Sequence, residues 1–204
     1  MTEYSNNYKE AWMETHTGKK IYPFDIRIED IDIGDISHSL SMKCRFGGHT
    51  KEFYSIAEHC IYCSWFIDNP DLKLFALLHD AAEAYLPDLI RPIKNHVPFL
   101  VDAEKDIIVK IMEKFVGRAP NEFERKQIKE IDNIMLLTEA SQLMDNLNDW
   151  ELYGVDSDKI DKIGKLAKFN PKQAEFVYKF IFDSLTEKSK EGNVKSRAKR
   201  TKAK

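Results

Sequence analysis

The chain has 204 residues, 43% of them hydrophobic and 11% aromatic, which is enough apolar mass for one well-buried core and short for two. Its formal net charge of -3 conceals an asymmetry: residues 188–204 carry eight Lys or Arg against the single acid Glu191, so the remainder is distinctly acidic and poorly suited to a broad nucleic-acid groove. No run approaches the roughly eighteen apolar residues of a membrane span, the first residues through Asn7 lack a basic-then-apolar leader pattern, and the odd set Cys44, Cys60 and Cys63 argues against a disulfide framework; a cytoplasmic protein with reduced thiols is the expectation.

In chain order, residues 20–33 alternate apolar and polar (Phe24-Asp25-Ile26-Arg27-Ile28, Ile31-Asp32-Ile33) and predict a short strand or extended edge segment. A short helix is expected over 35–41, closing before Arg45-Phe46-Gly47-Gly48-His49-Thr50, where paired glycines make a loop. Residues 51–67 predict a helix with Phe53, Ile56, Ala57, Cys60, Ile61, Ser64 and Trp65 near one face, and His59 lies within it. After the turn 68–71, with Asp71 as a candidate cap, a helix is expected over 72–85, carrying His79, Asp80 and Glu83. Pro87, Pro92 and Pro98 then impose an irregular connection that cannot be one straight helix. Helical spacing returns over 99–115, over a segment opened by Pro120-Asn121 and running to about Leu147, and over 171–186, where Ala174, Val177, Tyr178, Ile181, Phe182 and Leu185 face inward. Beyond Leu185 the tail has a single Val as its only large apolar residue, so 188–204 is expected to be a disordered basic tail following one domain over 1–187; its role is read as solubilising, with a nucleic-acid tether as the sharper alternative.

The pair His79-Asp80, placed directly after Leu74-Phe75-Ala76-Leu77-Leu78, would be expensive to bury unless a fixed positive charge satisfied it. His59 upstream and Asp132 downstream lie on other predicted helices, Asp132 beside the stripe Ile128, Ile131, Met135, Thr138 and Glu139. Together the four can supply two imidazole nitrogens and two carboxylate oxygens to one point, a donor set that favours a divalent transition ion over calcium. Cys60 and Cys63 form a C-x-x-C pattern, but within a predicted helix and with no second pair, so packing is the preferred reading.

The order His59, then His79-Asp80 with Glu83 three residues on, then Asp132 in Lys129-Glu130-Ile131-Asp132-Asn133, resembles the HD-domain metal-dependent phosphohydrolases. More narrowly, Arg45-Phe46, Ala57-Glu58-His59, His79-Asp80-Ala81-Ala82-Glu83, Leu86-Pro87-Asp88-Leu89 and Pro92-Ile93-Lys94 resemble the bacterial 5′-deoxynucleotidases of that superfamily, over about residues 30–144. The resemblance implies an all-α HD-domain helical bundle, often dimeric, that hydrolyses a nucleoside 5′-phosphate. It implies one divalent transition-metal ion (Co, Mn, Fe, Ni or Zn) with His59, His79, Asp80 and Asp132 as ligands.

Glu83 is the candidate general acid or base, Arg45 the fork for phosphate oxygens, Phe46 an apolar wall for the sugar where the family typically has tryptophan, and Asp88 the sugar-side carboxylate. His49 and Lys94 are further candidates for phosphate contacts, whereas His96 alone gives poor support for a second ion and His16 and His38 are assigned to structure or solvent. The alternatives are a nucleoside triphosphate triphosphohydrolase, an alarmone hydrolase (disfavoured because Ala84 rather than an Asp follows Glu83) and a non-catalytic nucleotide-sensing module.

Overall fold

The computed structural model describes residues 10–146 and 157–201. The amino-terminal segment through Asn7, Leu147 where a helix end is expected, and the last three tail residues lie outside them. The described chain is mostly helical, in agreement with an all-α class. The two-residue strands β1 (Met13–Glu14) and β2 (Lys20–Ile21) pair, antiparallel, with Met13 opposite Ile21. The alternation that predicts an extended segment over 20–33 instead spans two 3-10 turns, Pro23–Asp25 and Ile28–Asp30. Pro23 has no N–H for a ladder and its fixed φ suits a helical start; Ile26 and Ile31 still reach the core.

Caps decide where the helices begin. Helix α1 (Ile33–Met42) starts two residues earlier than the pattern predicts because the Asp32 carboxylate accepts from Gly34 N–H at 2.8 Å. Helix α2 (Ile56–Phe66) starts later than Lys51, at the Ser55 cap, which accepts from Glu58 N–H at 3.1 Å. Residues just before it run extended: Arg45 N–H donates to Tyr54 O at 2.9 Å and Ile56 N–H to Lys43 O at 3.1 Å. Every residue from Ile56 to Ser64 is buried, so α2 has no solvent face, while Phe53 and Trp65, assigned to its inner stripe, are exposed at its two ends.

Helix α3 (Lys73–Leu78) stops before the His-Asp pair, and the expected helix over 72–85 becomes α3 followed by a 3-10 turn at Ala81–Ala84. Asp71 is not the side-chain cap there; Asn69 accepts from Asp71 N–H. One helical turn, α4 (Arg91–Lys94), interrupts the proline-rich connection. Helix α5 (Pro98–Val116) ends at Gly117, whose φ of +82° lets its N–H reach Met112 O and Glu113 O. Helix α6 (Glu122–Leu143) opens with a complete capping box between Asn121 and Glu124. Helix α7 (Ser157–Ile163) is not evident in the sequence pattern.

Helix α8 runs from Pro171 to Thr201, so residues 188–201 are helical and the expectation of a disordered tail is corrected. The stretch has no proline and is rich in Lys and Arg, which extend a helix readily once its first turns are anchored. That anchor is Ala174, Tyr178 and Phe182, with the Tyr178 hydroxyl donating to Leu77 O at 2.8 Å in the interior. Helix α2 occupies the centre, against α1, α3, α6 and α8, and α5 covers α3 and the Ala81–Ala84 turn. Among the described residues no helix is long and apolar enough to cross a membrane.

Candidate metal centre

The break after Leu78 sets the orientation of the His-Asp pair. His79 keeps helical dihedrals and its Nδ1 donates to Ala76 O at 2.8 Å, which leaves Nε2 as the projecting nitrogen. Asp80, at φ -103° and ψ 14°, turns the chain into the tighter 3-10 segment and presents its carboxylate to the same side. His59 comes from the middle of α2 and is fully buried; its Nδ1 lies 2.7 Å from Glu139 Oε1. Asp132, one face of α6 away from solvent, presents Oδ1 3.3 Å from His59 Nε2.

The structure therefore brings together all four residues proposed as ligands. His59 Nε2 is 3.2 Å from His79 Nε2 and 3.6 Å from Asp80 Oδ2, and His79 Nε2 is 3.2 Å from Asp80 Oδ2. Donors held at about 2.0–2.2 Å by a single ion lie about 3–3.5 Å apart, so this spacing fits a shared cation. The Nε2···Nε2 contact is the informative one. Both Nδ1 atoms already donate, to Glu139 and to Ala76, so in the neutral imidazoles both Nε2 atoms carry lone pairs that face each other. Such a contact is repulsive unless a proton or a metal ion intervenes.

The electrostatics agree. Burial works against a charged His79, but the Asp80 carboxylate overrides it and pushes the imidazole well above its ordinary value. For His59, burial and the Arg45 guanidinium oppose protonation, while Glu139 and Asp132 win and raise it. Burial raises Asp80 and Asp132 too, yet their histidine partners hold both carboxyls below the usual range. The carboxylates thus favour positive charge on the imidazoles, alongside that of Lys129 and Arg91 near Asp132 and of Arg45 near Asp80.

Sequence reasoning missed Glu139, seven residues beyond Asp132 and hence on the same face of α6. It is completely buried, and its carboxylate bridges His59 Nδ1 and Arg45 Nε, the latter at 2.9 Å. The seven-residue spacing was the available signal, although periodicity alone cannot separate an acid beside the stripe from one inside it. The thiols were also under-read: Cys63 Sγ lies 3.6 Å from His59 Nε2, and Cys60 groups with His79 and Asp80 among the side chains able to hold a metal. Both are buried, and burial pushes each thiol up.

Glu83 is 5% exposed, and its Oε2 is a buried acceptor with no hydrogen-bond partner. Burial, reinforced by Asp80 and Asp88 and opposed by Arg45, holds its carboxyl well above the usual range. Lys43 secures the turn beneath it, donating to the backbone carbonyls of Glu83 and Leu86. Arg45 enters from the loop, with its guanidinium 5.6 Å from the Phe46 ring centre and one nitrogen 3.7 Å from Asp80. Phe46 itself has φ +56°, a strained value for a residue with a Cβ, of the kind that clusters at functional sites.

The remaining candidates are less central. Asp88 is half-buried, raised by burial against the pull of Arg45. Lys94 is held by Glu104 of α5, with Nζ 2.7 Å from Oε1, so its ammonium is already paired. His49 is exposed at the end of the 3-10 turn Phe46–Gly48, and His96 is exposed after α4.

The fold and site thus define a mostly helical protein with largely buried groups of histidine, cysteine and aspartate side chains that could hold a metal ion. Among known proteins, the chain is 35% identical over 179 residues to the uncharacterized protein YfdR of Escherichia coli (strain K12), a match spanning 87% of this chain and 97% of YfdR, and it belongs to the same family. It is also 37% identical over 94 residues to the uncharacterized protein RCAP_rcc00048 of Rhodobacter capsulatus, over 42% of this chain and 48% of that one. No family model matches the chain.

Proposed function

We propose that the protein is an HD-type metal-dependent phosphohydrolase that releases phosphate from nucleoside or deoxynucleoside 5′-monophosphates. The observation that carries this reading is the pair of facing imidazole Nε2 atoms, 3.2 Å apart and flanked by the Asp80 and Asp132 carboxylates. His59, His79, Asp80 and Asp132 would hold one divalent transition ion. When bound, that ion supplies charge for a phosphoryl oxygen and makes water a better nucleophile near neutral pH.

The chain's own groups do the rest. Glu83, whose carboxyl is held well above the usual range by burial beside two other carboxyls, donates a proton to the departing 5′-oxygen. Arg45, held charged by Glu139, Asp80, Asp132 and Asp88 despite its burial, neutralises the phosphate. Glu139 fixes Arg45 and His59 together, so the phosphate clamp and the first ligand share one support. Phe46 and Asp88 border the space for the sugar. Two neighbouring cations are already engaged, which weighs toward a monophosphate over a triphosphate: Lys94 is taken up by Glu104 and Lys43 by two backbone carbonyls.

Two variants test the division of labour. Asp132→Ala is expected to lose the bound ion and phosphate release together, as read by metal analysis and product assay. Glu83→Gln is expected to keep the ion and lose about 10²–10⁴-fold in rate. Full turnover in Glu83→Gln would remove its assigned role.

A further inference from the structure

We infer a second divalent-cation site, formed by His16, His38 and Glu175, that shares no residue with the His59–Asp132 centre. His16 lies in the turn between β1 and β2, His38 on α1 and Glu175 on α8. One nitrogen of each imidazole and one carboxylate oxygen of Glu175 lie within 4.8 Å of one another. His38 Nδ1 is 3.1 Å from Glu175 Oε2, and the two imidazole rings stack with centroids 3.6 Å apart at an interplanar angle of 11°.

Each ligand is carried by an anchored segment, so binding an ion requires only that the two stacked rings tilt to turn a nitrogen of each toward one point. Gly18, at φ +78°, closes the turn that carries His16 by donating to Thr15 O at 2.9 Å. The next residue, Thr17, donates through its N–H and its hydroxyl to the two oxygens of Asp35, at 2.7 and 3.0 Å. Asp35 is one helical turn before His38 on α1, so this double clamp seats the His16 ring over the His38 ring. Glu175 follows the buried Ala174, and α1 and α8 pack extensively against each other, which fixes the third ligand.

Two imidazoles and one carboxylate suit zinc, cobalt, nickel or copper and are too nitrogen-rich for calcium or magnesium. His16 is exposed, and His38 and Glu175 keep about a third of their side-chain surface open (31% and 32%), so an ion can exchange with solvent and complete its coordination with water. A bound ion would tie the amino-terminal hairpin to α1 and the last helix. The two-residue strands that form the hairpin have little strength alone, which gives such a clamp a physical role.

The test is equilibrium dialysis of the full-length chain, without a polyhistidine tag and stripped by chelator, against zinc ions alone. Two zinc ions per chain are expected, one in Asp132→Ala, one in His38→Ala and none in the double variant. Glu175→Gln, nearly isosteric and partly exposed, is expected to weaken the second site at least tenfold, which covers the case in which His38→Ala misfolds. An Asp132→Ala chain that binds no zinc, or unchanged zinc content in both His38→Ala and Glu175→Gln, would overturn the second site. Retention of one ion by both the wild type and Asp132→Ala would instead count against the His59–Asp132 centre and leave this one standing.

Discussion

At the residue scale, Glu139 is the side chain on which the most depends. It joins a buried guanidinium to a buried imidazole, so removing its charge leaves Arg45 without its best partner. Glu139→Gln is expected to lower metal affinity by about 10–100-fold, as supporting carboxylates behind ligating histidines usually do, and to lower thermal stability as well. Competition with a chromogenic chelator reads the first effect and a melting curve the second; unchanged affinity would show that the bridge does not orient His59. That His59, His79, Asp80 and Asp132 lie near one another was legible in the sequence, from a His-Asp pair set directly after an apolar run and from the order of residues that carries the family resemblance. Glu139 was not, because one helix face can be read only to within a neighbour or two, and which acid turns inward depends on where Arg45 arrives.

At the scale of elements, caps and breaks decide more than periodicity does. The Asn121–Glu124 box holds the start of α6, the helix that carries Asp132 and Glu139, and Arg118 adds a two-pronged ion pair to Glu124 at 2.6 and 2.7 Å. The ion pair and the Asn121 N–H hold the Glu124 carboxyl down at about 2. Its folded value lies below its unfolded one, so the stabilisation is present above about pH 4.5 and fades as pH falls toward 2. Exposure of the Arg118 side chain keeps the pair's share under about 1 kcal/mol. Asn121→Ala is expected to lower stability by about 1 kcal/mol near neutral pH in chemical denaturation, and a loss below about 0.3 kcal/mol would mean the box is redundant.

The sequence pattern located every long helix, because amphipathic spacing over many residues is hard to mimic by chance. It misplaced the ends that side chains set: α2 waits for Ser55, α1 starts directly after its Asp32 cap, and α3 yields at His79 where the imidazole turns back onto Ala76. The alternation over 20–33 imitated a strand because 3-10 turns separated by extended residues also bury every fifth side chain, here Ile21, Ile26 and Ile31. The basic tail misled in the opposite direction, since a helix can be prolonged by propensity once its first turns are anchored.

For the molecule as a whole, α2 is the structural and chemical centre at once. Its residues from Ile56 to Ser64 are buried against four helices, and His59 is one of them. A cation held between α2, the end of α3 and α6 would therefore cross-link the core. In a His38→Ala background, which lacks the second site, adding Co²⁺ or Mn²⁺ at about 100 times its dissociation constant is expected to stabilise the fold by about 2.7 kcal/mol, visible as a raised melting temperature, and Asp132→Ala should abolish most of that shift. An equal shift in Asp132→Ala would place the stabilising ion elsewhere.

The most direct test of the central claim is a nucleotide panel given to the Co²⁺- or Mn²⁺-loaded full-length chain, with the phosphate products identified. Metal-dependent release of inorganic phosphate from 5′-monophosphates, absent in Asp132→Ala, is the predicted result. Release of triphosphate from nucleoside triphosphates would contradict the choice of substrate, and no metal-dependent release from any nucleotide would contradict the phosphohydrolase itself.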